Sequence, residues 1–111
     1  MTDTNYFSGI VKILENPKRS FLSRNILLTT FRGEIAHIRK NKLVTIKFWG
    51  NLAQEVKDYY EMNDYILIEG YLSIKNTLPT YSSQVSRSQL IITVLKVYPF
   101  LLKSNRGFTK L

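Results

Sequence analysis

The stretch LVTIKFWG ends, just before its glycine, with two large aromatic side chains next to each other, Phe48 and Trp49. Neighbouring side chains of a β-strand point to opposite faces of the sheet, so only one of the two can lie in the core of a small domain. Val44, Ile46 and Phe48 form a uniformly apolar phase, which predicts that this phase faces the core. Trp49 shares the other phase with Lys47 and is therefore predicted to face outward.

A second strand-like run, YILIEGYLSIK, presents Tyr71 and Lys75 on the phase opposite its aliphatic residues. Aromatic rings can stack on nucleic-acid bases and cations can neutralise phosphates, so this combination is typical of a surface that binds single-stranded nucleic acid. Stacking contributes about 1–3 kcal/mol per base and requires no particular base, which predicts sequence-tolerant binding. The candidate binding residues are Arg32, Arg39, Lys40, Lys42, Lys47, Trp49, Tyr71, Lys75 and Tyr81.

Several of these residues could instead have a purely structural role, with no contact to nucleic acid. Trp49 could pack beneath the helix that follows it, Tyr71 could pair with a neighbouring strand, and Tyr81 could cover an end of the fold. Lys47 and Lys75 would be ordinary surface charges in most proteins. The interleaving of aromatic and basic residues on one face favours the binding interpretation.

The chain as a whole is strongly basic. Its 111 residues include 16 Lys and Arg against eight Asp and Glu, which gives a formal net charge of +8. Such a charge attracts polyanions, with nucleic acid the first candidate and an acidic membrane surface the second. Two basic clusters stand out, Lys18, Arg19 and Arg24, and Arg39, Lys40 and Lys42. Nowhere do 18 apolar residues run together, and the first residues lack the features of a signal peptide, so neither membrane insertion nor export is expected.

Catalytic and metal chemistry have little support in the sequence. The eight carboxylates are scattered, and there is no H-E-x-x-H motif, phosphate-binding glycine loop or nucleophile elbow. Cysteine is absent and His37 is the single histidine, so a second nitrogen or sulfur ligand for a metal ion is missing. We therefore expect a protein that is not an enzyme and that uses no metal ion and no cofactor.

Short strands and one helix must position the candidate residues. Period-2 patterns predict strands at 6–14, 26–38, 43–49, 65–75 and 89–98, with a basic connector at 18–25 and a polar loop at 76–88. Gly33 and Gly70 suggest bulges or barrel bends within their strands. Five strands with a helix between the third and fourth predict an all-β fold, a five-stranded OB-fold barrel. This domain is predicted to occupy residues 1–100, followed by a basic, flexible tail at 101–111.

The helix follows Gly50, where the apolar spacing changes. Leu52, Val56 and Tyr59 recur at helical intervals, which predicts a short helix that starts at residue 52. Asn51 and Gln54 have the form of a capping box for its first turn.

The segment FWGNLAQEVKDYYEMNDYILIEGYL, residues 48–72, resembles the bacterial single-stranded DNA-binding protein family. The aromatic-Gly pair, the Leu-Ala that opens the helix and the Glu-Gly-x-Leu of the next strand carry the resemblance, which is nearest to the short, tail-less members encoded in algal plastids and cyanobacteria. It implies an OB-fold homo-oligomer, a dimer or tetramer, that holds single-stranded DNA, with RNA possible, during replication, recombination and repair. Trp49 matches the family's stacking aromatic. A plastid stroma is implied, with a bacterial cytoplasm as the alternative.

The sequence also departs from the family. Leu43 and Thr77 stand where further tryptophans are common, which reduces stacking capacity, and the acidic tip that recruits other proteins is replaced by SNRGFTKL. These departures keep a second hypothesis open: an OB-fold protein-interaction or assembly factor in which DNA binding is weak or lost.

Overall fold

Strands make up most of the fold. The computed structural model describes residues 5–22, 25–36, 40–77 and 87–103. In chain order the elements are β1 (Tyr6–Ile13), β2 (Lys18–Leu22), β3 (Ile26–Ile35), β4 (Lys42–Trp49), α1 (Gly50–Tyr59), β5 (Tyr65–Thr77) and β6 (Arg87–Leu101). β5 and β6 both extend beyond their predicted bounds, so the hairpin that they form is longer than the sequence pattern indicated.

Five of these strands close into a barrel. Hydrogen-bonded neighbours run in the order β1-β5-β6-β4-β3, and a further pairing between β1 and β3 closes the ring. The pairing of β4 with β6 is parallel, and the other pairings in the ring are antiparallel. α1 connects β4 to β5. This is the arrangement of an OB-fold barrel with one helix between its third and fourth strands, so the predicted fold is confirmed.

The prediction of a basic connector at residues 18–25 is wrong for its first five residues, because residues 18–22 form a sixth strand. β2 pairs with β3 outside the ring, with Lys18 opposite Thr30 and Leu22 opposite Ile26. All five residues of β2 are exposed, so the strand lacks the alternation of apolar and polar residues by which strands are recognised. The β2–β3 hairpin therefore extends the sheet beyond the barrel.

One phase of each barrel strand fills the interior. In β4 this phase contains Val44, Ile46 and Phe48, and the ring of Phe48 lies 5.5 Å from that of Phe31 in β3. α1 adds two small side chains to the same core. The buried apolar side chains are Val11, Ile13, Phe31, Val44, Ile46, Phe48, Ala53, Val56, Tyr60, Ile66, Ile68, Ile91, Ile92 and Val94.

Two strand glycines lie where a neighbouring chain segment approaches closely. A Cβ atom on Gly70 would lie 2.1 Å from the carbonyl oxygen of Thr93, and the register of β5 against β6 shifts between Glu69 and Gly70, as expected for a bulge. A Cβ atom on Gly33 would lie 2.5 Å from Cγ1 of Val11. The register of β3 against β4 passes through Gly33 without a shift, so the predicted bulge is absent at this position. The glycine makes room for β1, whose Ile13 pairs with it.

The start of α1 differs from the prediction. The helix begins at Gly50, whose φ of 65° lies in the left-handed region that favours glycine, and Trp49 is the N-cap residue without a capping hydrogen bond from a side chain. The predicted capping box is therefore wrong. Gln54 instead donates from Nε2 to Oδ2 of Asp58 at 2.6 Å and accepts from the guanidinium of Arg19 in β2 at 2.8 Å.

Two buried polar residues join the helix region to the strands. The hydroxyl of Thr29 in β3 donates a 2.8 Å hydrogen bond to the carbonyl oxygen of Ala53 in α1. The carboxylate of Asp64, after the helix, accepts from the backbone N–H of Glu61 at 2.9 Å and from that of Lys103 at 2.8 Å. The backbone that follows β6 is therefore fixed beside the turn that follows α1.

Within the described ranges, α1 is too short and too polar to cross a membrane. The same part of the chain holds no group of three or more His, Asp or Glu side chains that could bind a metal ion.

Candidate nucleic-acid interface

The outward side chains of β3 and β4 form rows across the barrel surface. Residues directly opposite each other on neighbouring antiparallel strands have Cβ atoms about 4.5–5.5 Å apart, so each row is a set of adjacent side chains. The three rows pair Leu28 with Trp49, Thr30 with Lys47, and Arg32 with Thr45. A ring, an ammonium and a guanidinium thus follow one another at two-residue steps along one face.

Trp49 and Phe48 point to opposite faces, as the sequence phase predicted. Phe48 is 0% exposed, whereas Trp49 is 38% exposed. Trp49 belongs neither to the buried core nor to the partly buried apolar side chains that pack against it, such as Leu52 of α1. The ring of Trp49 therefore lies at the end of β4 with more than a third of its surface exposed.

The β2 strand brings further side chains to this face that the candidate set did not include. Lys18 lies opposite Thr30, which in turn lies opposite Lys47, so the two lysines stand on either side of β3. Ser20 extends the row of Leu28 and Trp49 in the same way. The basic cluster at 18–24 was the sequence signal for Lys18, but its place next to Lys47 depends on the strand register.

Arg19 has a different position from the rest of its predicted cluster. It is opposite Thr29, a core-facing residue, and its guanidinium donates to Gln54 of α1. Its charge is therefore directed to the helix side of the hairpin, away from the row of Lys18 and Lys47.

Tyr71 lies farther from Trp49 than its place in the sequence pattern suggested. Thr93 of β6 stands between Lys47 and Tyr71, so two strand spacings of about 4.8 Å each separate Lys47 from Tyr71 along the sheet. The exposed Tyr71 ring meets the ring of Tyr6 in β1 edge-on, with centroids 5.9 Å apart. The cross-strand pair that the sequence left open is therefore present.

Tyr6 connects this pair to a carboxylate. Its hydroxyl donates a 3.1 Å hydrogen bond to Oε1 of Glu69. Partial desolvation, and then the hydrogen bond and the negative charge of Glu69, raise the pKa of Tyr6 above its usual 10.0. Lys96 of β6 lies opposite Glu69, so this part of the surface carries a cation next to the carboxylate.

Lys75 and Arg32 flank the other end of the β4 face. Lys75 is opposite Gln89 of β6, whose Nε2 donates a 2.7 Å hydrogen bond to the hydroxyl of Thr45. Thr45 is in turn opposite Arg32. Both basic side chains are exposed, so the cation rows extend from the hairpin to the far side of β4.

The basic turn before β4 is only partly described. Lys40 and Lys42 are exposed, and Lys42 lies in the same phase as the core residue Val44, at the first position of β4. It therefore stands at the rim of the barrel rather than on the outer face. Arg39 and Tyr81 lie outside the described residues, as do Arg24 and His37.

No protein-family model matches this chain. A protein of Trieres chinensis named "Putative single-stranded DNA-binding protein ycf41" is 39% identical to it over 105 residues, which cover 90% of this chain and 92% of that protein. This chain belongs to the single-stranded DNA-binding protein family. The resemblance seen in residues 48–72 is thereby confirmed.

Solved structures of single-stranded DNA-binding proteins have the same fold. The SSB domain of a Synechococcus protein matches with a TM-score of 0.69 at 21% identity, over 88% of this chain and 98% of that domain. The small single-stranded DNA-binding protein of Streptomyces coelicolor matches with a TM-score of 0.76 at 15% identity, over 96% of this chain and 100% of that one. At these identities the likeness concerns the fold.

Proposed function

We propose that this chain binds single-stranded DNA, with little base preference, on the outer face of β2, β3 and β4. The observation that carries the proposal is the exposed ring of Trp49 two residues from Lys47, with Lys18 across one strand. Along a strand, residues two apart are separated by about 6.7 Å, so a ring and a cation can serve neighbouring parts of one nucleic-acid strand. The ring stacks on a base and the cations neutralise phosphates.

The test is a binding titration with fluorescently labelled oligo-dT at several salt concentrations. Release of counterions lowers log affinity linearly with log salt, by about 0.7 for each phosphate neutralised. The same titration with an oligo-U strand measures the preference between DNA and RNA. Absence of binding at low salt, or an affinity that does not respond to salt, would contradict the proposal.

The chain is further proposed to work as a homo-oligomer, a dimer or tetramer, joined through β1. In the described part of the chain, residues 11–13 of β1 pair with β3, whereas residues 6–10 pair on one side only, with β5. An unpaired strand edge either pairs with another chain or aggregates. Ile10 on β1 and Tyr98 on β6 are exposed and provide apolar area for such a contact. Light scattering that gives a 13.0 kDa monomer at tens of micromolar protein would contradict this assembly.

A protein-interaction or assembly factor is the second candidate function. Leu43, where relatives of this family commonly carry a tryptophan, is exposed and aliphatic, and Leu95, Phe100 and Leu101 of β6 are each exposed. Such surfaces can bind protein. Retained oligomer formation with no measurable oligo-dT binding would favour this candidate over the first.

For the cellular setting we propose DNA replication, recombination and repair in the plastid stroma, with a bacterial cytoplasm as the alternative. The resemblance to short, plastid-encoded members supports this setting. Immunolocalisation in intact cells would distinguish a plastid from other compartments.

A further inference from the structure

A groove lies between the second half of α1 and β6, and none of the described residues that line it belongs to β3 or β4. It has a volume of about 430 Å³ and is lined by Glu55, Asp58, Tyr59, Tyr60 and Val97. Two carboxylates thus lie beside two aromatic rings, which contact each other edge-on with centroids 4.8 Å apart. A ligand that suits this lining carries a cation next to an apolar or aromatic group.

The acidic lining is unusual for this molecule. The chain has a formal net charge of +8, yet both charged side chains in the groove are negative. Within the described residues, neither Glu55 nor Asp58 forms a salt bridge, and Asp58 accepts a hydrogen bond from the neutral side chain of Gln54. A basic ligand would therefore supply the opposite charge that these two carboxylates lack.

The chain itself leads to this groove. The N–H of Lys103 donates to Asp64, which also holds the N–H of Glu61, so the backbone after β6 is fixed at the turn that follows Tyr60. Val97, six residues earlier in β6, already lines the groove. Lys103, from which the chain continues into residues 104–111, therefore lies close to one end of the groove.

Those eight residues have the length and chemistry that the groove requires. At about 3.3 Å per extended residue they span up to about 26 Å, whereas the ten residues of α1 rise about 15 Å. Their sequence, SNRGFTKL, places Arg106, Phe108 and Lys110 at alternate positions, which share one side of an extended segment. It contains no acidic residue.

We propose that residues 104–111 of this chain dock in the groove between α1 and β6. Arg106 pairs with the carboxylates of Asp58 and Glu55, and Phe108 packs against Tyr59. A guanidinium suits this role because it binds carboxylates through paired N–H groups and stacks on aromatic rings. The positive charge of residues 104–111 is thus neutralised by carboxylates of the same chain, and the docking needs no nucleic acid.

Paramagnetic relaxation in the full-length protein tests the docking directly. The chain contains no cysteine, so a nitroxide on Thr109→Cys is a unique label that leaves Arg106, Phe108 and Lys110 intact. The expected result, without DNA, is loss of the amide signals of Glu55, Asp58 and Tyr59. The amide signal of Lys75 should persist, because Lys75 lies about 23 Å along β5 from Ile68, the residue opposite Val97 of the groove. Persistent signals in the groove, or loss confined to the β3 and β4 face, would overturn the proposal.

Charge reversal tests the chemistry of the contact. Glu55→Lys, which leaves the Gln54–Asp58 hydrogen bond in place, should restore the groove signals, and adding Arg106→Glu to it should remove them again. Glu34→Lys makes the same charge change on β3 and serves as the matched control, in which the groove signals stay broadened. An unaltered thermal melt confirms that each variant is folded. Broadening that survives Glu55→Lys would contradict the pairing.

The occupant is identified by dilution. Mixing the spin-labelled chain, itself isotope-labelled, with an excess of unlabelled wild-type chain leaves an intramolecular effect unchanged. If the groove signals return on dilution, the tail comes from a second copy, and docking within one chain is refuted.

Discussion

The carboxylate of Asp64 accepts a 2.8 Å hydrogen bond from the backbone N–H of Lys103, which fixes the end of β6 against the turn after α1. Its other oxygen accepts from Glu61, and the residue is fully buried. A single side chain thus connects the helix-to-β5 turn with the last described residue of the chain.

Replacement of Asp64 by alanine should destabilise the fold, because two backbone donors lose their acceptor. Leaving a buried donor unsatisfied costs about 1–3 kcal/mol, and partial access to water at this turn keeps the total near the upper end of that range. Urea unfolding measures the change. Asp64→Asn retains one acceptor oxygen and should recover part of the loss. A stability equal to that of the wild type in Asp64→Ala would show that these hydrogen bonds contribute nothing.

Titration of Tyr6 should report its contact with Glu69. Partial desolvation, and then the contact with Glu69, raise the pKa of Tyr6 and so favour the neutral phenol in the folded state. The resulting stability is present below pH 10.0 and is lost as the pH rises through the raised value. Glu69→Gln should lower the pKa of Tyr6, since it removes the negative charge. NMR titration of 13C-labelled tyrosine follows the residue, with Glu34→Gln as the control. An unchanged Tyr6 titration in Glu69→Gln would contradict the assigned cause.

Removal of one cation from the β4 face should change the salt dependence of oligo-dT binding. Lys47→Gln should reduce the slope of log affinity against log salt by about 0.7, which corresponds to one phosphate on single-stranded DNA. The effect should be similar for oligonucleotides of different sequence, because a phosphate contact carries no base information. Lys57→Gln on α1 removes the same charge away from this face and should leave the slope unchanged. Equal effects of the two substitutions would mean that binding depends on net charge rather than on this surface.

The barrel and its core could be predicted because the sequence alternates cleanly where one side of a strand is buried. Val44, Ile46 and Phe48 show this in β4, and the change of spacing after Gly50 located α1. β2 could not be found in this way, because all of its residues are exposed and its pairing with β3 depends on the hairpin geometry. The prediction of a capping box was wrong because the side chain of Gln54 forms hydrogen bonds with Arg19 of β2 and with Asp58 instead. The contact with Arg19 depends on β2, which the sequence pattern did not indicate.

The candidate surface was predictable within a strand and less so between strands. The phase of Trp49 followed from β4 alone, whereas the distance of Tyr71 from Lys47 depends on β6, which enters between them as a parallel neighbour of β4. The sequence order of strands does not indicate this insertion. The sequence did not predict that Lys18 lies near Lys47 either, because their positions depend on the register of β2 against β3 and on that of β3 against β4.

Trp49→Ala is the most direct test of the proposed binding face. Trp49 is the single tryptophan of the chain, so its fluorescence should be quenched when oligo-dT is added. If the ring stacks on a base, Trp49→Ala should weaken binding by about 1–3 kcal/mol. Its 38% exposure and its place outside the core predict a small change in the free energy of unfolding.

Phe48→Ala is the matched control, because the two residues are neighbours that point to opposite faces. Phe48 is 0% exposed and its ring lies 5.5 Å from that of Phe31, so its truncation should cost about 3–5 kcal/mol of stability. Urea unfolding and oligo-dT titration of both variants separate the two roles: stability changes in Phe48→Ala, and affinity changes in Trp49→Ala. If Trp49→Ala unfolds the protein while Phe48→Ala leaves it stable, then the ring of Trp49 supports the fold, and β4 does not present it to nucleic acid.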